Sequence, residues 1–342
     1  MTAPAALARD IGRVPVPGRG SPRPRKLDPE VQLGAASMSA WRDFVRMWKM
    51  SGKSPDTLRS YGECLAKFAD YLGGPLGTEV IHATQDDAGR WLESMIDAGA
   101  ADKAIATRHA GVRAVYSWWL KNDITETNPF KGIPQRQFAL KLPEVLTDHQ
   151  LRALAATAEN KCPKGSDAEF RRLRDAAILA IWNEAGSPRI SEMRALSTAD
   201  IDLSADELHI RHGKGNKARS IPLSPGTALK LSRYFRARDA YAASHAGVRY
   251  GAALWLTATG PITNDGLSKM LRDRAGRAGI GHVHPHQLRH TAYSRFEERG
   301  GLPGDAMALF GWSSDTMTRY YGASARARRA AQRARSIALA DL

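Results

Sequence analysis

Apolar residues in the first third of the chain recur with a helical period. Trp41, Phe44, Val45 and Trp48 stand at i, i+3, i+4 and i+7, which places them on one face of a helix. A second helix opens at Ser54-Pro55, a capping residue followed by proline in the first turn. It carries Leu58, Tyr61, Leu65, Phe68 and Leu72 and stops at Gly73-Gly74. Two more follow, one with Trp91, Leu92, Met95 and Ile96, the other with Ile105, Val112, Tyr116 and Trp119. Amphipathic helices packed this closely between Met38 and Asn128 predict a bundle, with the aromatic residues as its core rather than platforms for stacked bases.

Asn128-Pro129 is predicted to end the last of these helices. The next stretch, with Lys131, Pro134, Arg136, Lys141 and Pro143, reads as an extended basic linker. Thr147 with Gln150 three residues later forms a capping box and starts a second domain. Within it, Leu208–Arg211 and Arg219–Leu223 flank Gly213-Lys214-Gly215-Asn216, the pattern of a β-hairpin. From Pro225 onward the pattern is again mostly helical. The expected fold is therefore mainly α with a small β-sheet: a helical N-terminal domain and an α+β C-terminal one.

Five segments are predicted: an unfolded basic stretch over residues 1–36, the helical domain 37–128, the linker 129–145, the second domain 146–322 and a basic tail helix 323–342. The first stretch is rich in Pro, Gly and Ala, and carries Arg9, Arg13, Arg19, Arg23, Arg25 and Lys26 against Asp10. Such a segment cannot bury enough apolar surface to offset its ordering entropy. It reads equally as an arm touching phosphates or as a tail with no role.

Charge narrows the partners. Fifty Lys and Arg against 35 Asp and Glu leave a formal net charge of +15, an excess that favours a polyanion through counterion release; the alternative is a basic protein merely kept soluble by its charge. The two cysteines, Cys64 and Cys162, have no CxxC spacing. This argues against a disulfide framework or a zinc module and fits a reducing cytoplasm. No apolar run approaches the ~18 residues of a membrane span, and no apolar stretch follows the N-terminal charges as in a secretory signal. A cytoplasmic protein without a membrane partner is expected.

Four stretches carry candidate chemistry. In Ala185-Gly186-Ser187-Pro188-Arg189-Ile190-Ser191-Glu192 the Gly-Ser-Pro breaks an apolar helix and Arg189 opens the next. A helix start offers free N–H groups to an anion, and a guanidinium adds a fork for two phosphate oxygens. Glu192, one turn on, can orient that arginine; the alternative is a surface Arg–Glu pair. Lys214, at a glycine-flanked hairpin tip, can contact backbone phosphate or donate a proton to a leaving hydroxyl, and Lys217 and Arg219 compete for the same task. His286 and Arg289, three apart on one helix face, pair a proton handler with a fixed cation, although an HxxR pair is often structural. Arg289 would complete a two-arginine clamp with Arg189 for a pentavalent phosphorane, and neutral His286 can accept a proton or hydrogen-bond a phosphate oxygen. His290 is expected to pack or cap locally. Tyr320-Tyr321 offers a nucleophile.

AGSPRISEM, GKGNKARSIPL, HPHQLRHT and LFGW…TRYY, in that order, resemble the tyrosine recombinases, or phage integrases, over residues 38 to about 322. The resemblance implies an N-terminal core-binding (SAM-like) domain and a catalytic domain. It implies Arg189 as the first catalytic arginine with Glu192 supporting it, Lys214 as general acid, and His286 and Arg289 as the HxxR pair. Trp312 takes a position where many members have a second histidine. The family's nucleophile follows that position by nine residues, which falls on Tyr321 rather than Tyr320. Two departures stand out. One residue is inserted before Arg189, where the family reads Thr-Gly-x-Arg. Trp312 can donate one hydrogen bond and pack, but cannot shuttle protons, so proton transfer from Tyr321 falls to His286, Lys214 or water. Some phage recombinases share this tryptophan, whereas Xer-type resolvases typically keep histidine.

What the resemblance implies is strand exchange without metal or cofactor, through a 3′-phosphotyrosine, by a homotetramer holding two double-stranded DNA attachment sites and passing through a Holliday junction. Lys131, Arg136, Lys141, Lys217 and Arg219 are candidate DNA contacts. The tail, with Arg326, Arg328, Arg329, Arg333 and Arg335, is expected to dock on a neighbouring subunit or to contact DNA. An arm-less integrase of a phage or mobile element is the favoured reading, with an accessory directionality factor left open. An Xer-like resolvase, a type IB topoisomerase and a non-catalytic DNA-binding regulator are the rivals.

Overall fold

The computed structural model describes residues 27–73, 79–138, 144–159, 163–211, 213 and 218–337; within the last helix some side chains, including that of Tyr321, fall outside the description. The expected roles of the N-terminal arm, Lys141, Cys162, Lys214 and Lys217 therefore lie outside the described residues. The chain divides into two compact units between residues 140 and 141.

The first unit holds α1 (Pro29–Gln32), α2 (Ala35–Met50), α3 (Pro55–Tyr71), α4 (Gln85–Asp97) and α5 (Asp102–Lys121). The predicted apolar stripes meet in one core: Trp41, Phe44, Leu65, Phe68, Trp91, Tyr116 and Trp119 are buried, and the Trp119 indole N–H donates to the Ala40 carbonyl at 3.1 Å. The aromatic residues are core, as their spacing predicts.

Two boundaries differ from expectation. Structure begins well before residue 36: Asp28 caps α1 by accepting from the Glu30 N–H at 3.0 Å, and Gln32 and Leu33 are buried. The expected linker also starts too early. Helix α5 ends at Lys121, and the chain then folds back so that Phe130 is fully buried against Phe68 and Trp91. Asn128 holds this return, its Oδ1 accepting from the Phe130 N–H at 3.0 Å and its amide donating to the Arg113 carbonyl at 3.2 Å. One large apolar side chain beyond the proline outweighs the linker-like composition around it.

The second unit holds α6 (Asp148–Ala156), α7 (Asp167–Trp182), α8 (Ile190–Ala195), β1 (Ile201–Asp202), β2 (Glu207–Ile210), β3 (Arg219–Pro222), α9 (Pro225–Ser244), β4 (Leu256–Thr257), β5 (Gly260–Pro261), α10 (Asn264–Arg277), α11 (Pro285–Glu298), α12 (Pro303–Phe310) and α13 (Asp315–Ile337). The Thr147 capping box forms with both of its bonds. Strands β1, β2 and β3 make an antiparallel sheet in that order, with Leu208 opposite Ile221 and Ile210 opposite Arg219. Side chains alternate across β3: Ile221 is fully buried and its neighbours Ser220 and Pro222 are exposed. Arg219, two residues before Ile221, therefore shares the inward face.

Helix α7 packs on α9 over a core of Ile178, Ile181, Trp182, Leu208, Ile221, Leu231 and Tyr234. A second aromatic cluster of Tyr293, Phe310 and Trp312 joins α11 to α12, and α13 packs against both helices. Among the described residues no helix is long and apolar enough to cross a membrane.

Candidate active site

Helix α12 ends at Gly311, which adopts φ 59° and ψ 50°. A helix end leaves its last carbonyls without intrahelical donors and carries partial negative charge. Three arginines from three different elements meet them. The Arg219 Nε–H donates to the Leu309 carbonyl at 2.8 Å, Arg289 Nη2–H donates to Phe310, and Arg189 Nη2–H donates to Gly311 at 3.2 Å. Three consecutive carbonyls thus gather the guanidiniums of β3, α11 and the start of α8.

The loop before Arg189 is shaped by this meeting. Gly186 has φ 94°, and a Cβ there would lie 2.9 Å from the Leu309 carbonyl and 3.0 Å from Ile221, so glycine is required by both conformation and space. Ser187 turns its hydroxyl back to the Trp182 carbonyl at 2.8 Å, and the Trp182 indole N–H donates to Pro188 at 3.2 Å. Arg189 follows this turn as the N-cap of α8.

Glu192, at the third position of α8, closes a capping box back onto Arg189. It accepts from the Arg189 backbone N–H at 2.8 Å and from Arg189 Nη1–H at 2.6 Å, and its side chain is 3% exposed. It also receives Arg219, with Nη2 at 2.7 Å from one carboxylate oxygen and Nη1 at 3.2 Å from the other. Burial by itself would raise the Glu192 pKa, but the bond and charge of Arg219, with those of Arg189, outweigh it and hold the carboxyl down to about 2. The pair is not an exposed Arg–Glu contact.

On α11, Pro285 occupies the first turn and the His284 Nδ1 accepts from the Gln287 N–H at 3.1 Å, which sets the start of the helix. His286 and Arg289 follow on one face. Arg289 is 2% exposed, donates to the Ser187 carbonyl as well as to Phe310, and lies 5.1 Å from the Phe310 ring centre and 5.7 Å from that of Trp312. Burial lowers the His286 pKa, and the positive charge of Arg289 lowers it further, so the imidazole is kept neutral. His290 packs edge-on to His286 with ring centres 4.6 Å apart; burial, then His286, pushes it down to about 3. Trp312 is 6% exposed, stacked on Phe310 and edge-on to Tyr293.

Tyr320 and Tyr321 both lie in α13. The Tyr320 ring packs against the α11–α12 aromatic cluster, 6.5 Å from His290. Beyond it, α13 runs on unbroken through the basic tail and lies against α11 of its own unit. Arg326 and Arg329 pair with Glu297 at 3.3 and 3.0 Å, and Arg328 pairs with Glu298 at 2.5 Å. This intramolecular contact was not foreseen from the run of arginines, because the acidic partners sit in α11 and become neighbours only when the helices pack.

The structure thus brings together Arg189, Glu192, His286, Arg289 and Trp312 around the end of α12. Arg219 joins them in a different capacity from the expected DNA contact: its side chain is 6% exposed and committed to Glu192 and Leu309. The alternation in β3 was the signal for this. Of the other expected DNA contacts, Lys131 and Arg136 are exposed in the first unit, and Arg136 is ion-paired with Asp102. The carbonyls of Leu309, Phe310 and Gly311 were missed altogether, since no side chain marks them.

Comparison with known proteins agrees with this layout. A family model described as the phage integrase family matches residues 144–328, and one described as the phage integrase N-terminal SAM-like domain matches residues 41–122. The tyrosine recombinase XerC of Chromobacterium violaceum is 29% identical over 286 residues, covering 83% of this chain and 89% of the relative. That of Bacillus pumilus is 26% identical over 269 residues, covering 78% and 85%. Among solved structures, a Tn1549 transposon integrase in complex with a circular intermediate DNA is 18% identical, with a TM-score of 0.62 and coverage of 85% of this chain and 99% of that one. A lambda integrase dimer bound to a core site is 15% identical, with a TM-score of 0.60 and coverage of 83% and 76%.

Proposed function

The chain belongs to the phage integrase family of tyrosine recombinases, and we propose that it integrates or excises a mobile element by breaking and rejoining double-stranded DNA at defined sites. The observation that carries this reading is the pair of guanidiniums, Arg189 and Arg289, held on the adjacent carbonyls of Gly311 and Phe310. Two permanent charges immobilised before the reaction match a phosphate that gains charge in its transition state, and they need no reorganisation when it forms.

In the proposed cycle the Tyr321 oxygen attacks the scissile phosphorus. The bond from phosphorus to the 5′-oxygen breaks, leaving a 3′-phosphotyrosine. The phenol needs activation because its ordinary pKa is about 10; His286, held neutral, accepts its proton. Lys214 donates a proton to the departing 5′-oxygen. A 5′-hydroxyl of the partner strand reverses both transfers and releases the tyrosine, so the ester conserves the bond energy and no nucleotide triphosphate is consumed. A homotetramer on two duplexes is the proposed working assembly, supported by the fold shared with a lambda integrase solved as a tetramer bound to a Holliday junction.

The test is covalent capture. Duplexes tiled from the DNA that flanks the gene, nicked beside the candidate cleavage point, should trap the wild-type chain as a protein–DNA adduct. Tyr321→Phe should bind the same duplexes and form no adduct. An adduct that persists in Tyr321→Phe moves the nucleophile to Tyr320. The named relatives support a second reading, an Xer-like resolvase. Recombination between a flanking repeat and an unlinked copy favours an integrase, and exchange restricted to sites on one molecule favours the resolvase.

A further inference from the structure

We infer that Arg219 is a positioning residue of the cleavage site, acting through Glu192 on Arg189 and through Leu309 on the end of α12. This inference rests on the recombinase reading above and adds to it a residue that never meets the DNA.

Three features of Arg219 point the same way. First, its side chain is 6% exposed and turned inward on β3, on the same face as Ile221. Second, all three of its nitrogens are engaged: Nη1 and Nη2 grip the two oxygens of Glu192 at 3.2 and 2.7 Å, and Nε–H donates to the Leu309 carbonyl at 2.8 Å. A planar fork that spans a carboxylate on one edge and a carbonyl on the other is a task for arginine, since a lysine ammonium is a point charge and cannot bridge both. Third, the site is cut to fit it. A Cβ on Gly311 would lie 3.1 Å from Arg219 Nη1, close enough to press the guanidinium out of place by a few tenths of an ångström.

The consequence falls on Arg189. Glu192 holds Arg189 twice, by its backbone N–H and by Nη1. With Arg219 in place, Oε1 of Glu192 is shared between the two guanidiniums and Oε2 between Arg219 Nη2–H and the Arg189 backbone N–H, and Arg189 keeps Nη2 on the Gly311 carbonyl. Without it, a buried carboxylate is left with one cation and is drawn fully onto Arg189, while the Leu309 carbonyl loses its side-chain donor. The guanidinium that should face the phosphate is then rotated and over-neutralised. Arg219 also stands opposite Ile210 at the last rung of the β2–β3 ladder, so the same contacts fasten the root of the hairpin to the catalytic arginine.

The inference separates binding from chemistry. In Arg219→Met, affinity for the flanking-DNA duplexes should stay within about twofold, with an unchanged salt slope. The rate of adduct formation at saturating DNA should fall by about 10²–10³, the cost of disturbing one preorganised donor group. Arg219→Lys should not restore it. Adding Glu192→Gln to Arg219→Met should slow cleavage little further, because the two residues act on Arg189 as a unit. Thermal melts and retained DNA binding show that each variant is folded. Weaker binding with a salt slope reduced by about one, and an unchanged rate at saturation, would make Arg219 a phosphate contact and overturn the inference. Fully multiplicative losses in the double variant would overturn it as well. If the wild-type chain forms no adduct at all, the recombinase reading fails, while the affinity and salt slope of Arg219→Met still decide whether Arg219 meets phosphate.

Discussion

Arg189 Nη2 lies 3.2 Å from the carbonyl oxygen of Gly311, a contact between residues 122 positions apart in the chain. It ties the start of α8 to the end of α12. It also places a catalytic candidate against a residue with a left-handed backbone, φ 59°, against which a second arginine packs closely. Gly311→Ala should cost about 1–2 kcal/mol from the left-handed conformation alone, and more from the contact with Arg219. Chemical denaturation should show this loss, and adduct formation should fall with it. A variant as stable as wild type would mean that the turn does not constrain the site.

Glu192 links stability to pH. Its carboxyl is held down to about 2, against an ordinary value of 4.5. The folded-state pKa is depressed, so the stabilisation is fully present above the unfolded value and is lost as pH falls from about 4.5 towards 2. Its size is of order 3 kcal/mol at neutral pH. Glu192→Gln should be less stable than wild type at pH 7, and the gap should narrow through that window. Denaturation curves at pH 7, 4 and 3 measure it; a gap that stays constant with pH would show that the charge of Glu192 contributes nothing.

In the proposed cycle His286 sets the acid limb of cleavage. Burial and the charge of Arg289 lower its pKa, so the imidazole stays neutral, and able to accept a proton, to a lower pH than a free histidine with its pKa of about 6.5. Single-turnover cleavage rates should therefore hold up below pH 6.5 before falling. A limb at or above 6.5 would place His286 outside the proton transfer. His286→Ala should lower the rate by about 10²–10⁴.

Trp312 contributes shape and charge stabilisation. It is 6% exposed, stacked on Phe310, and its ring centre is 5.7 Å from the Arg289 guanidinium carbon. Trp312→Ala should destabilise the second unit by about 3–5 kcal/mol through the cavity it leaves. Trp312→Phe should recover most of that. Equal losses in both variants would show that the indole N–H, rather than the packed ring, matters most.

The basic tail is held by Glu297 and Glu298. The arginine side chains of these pairs are about two-fifths exposed, at 42–44%, so each pair is screened and contributes at most about 1 kcal/mol. Glu297→Gln should leave the melting temperature nearly unchanged but speed amide exchange in the last turns of α13. No change in exchange would mean that the helix is held by its apolar face alone.

Residue spacing alone disclosed most of the helices, the hairpin and the order of the motifs. Helical spacing placed Trp41, Phe68, Trp91 and Trp119 in one core, and the Thr147–Gln150 box marked the start of the second unit, because periodicity and capping are properties of neighbouring residues. It also singled out Arg189, His286 and Arg289 as residue types suited to a phosphate and Glu192 as a support for the first arginine, while Trp312 was marked by the family resemblance. Which of them meet was settled by packing. Arg219 reads as one more basic residue of a hairpin until β3 turns it inward onto Glu192, and the Leu309, Phe310 and Gly311 carbonyls carry no signature because every residue has one. Phe130 and the α11 partners of the tail escaped for the same reason. Local patterns fix what a residue can do, whereas burial and long-range pairing, set by how helices and strands pack, decide what it does.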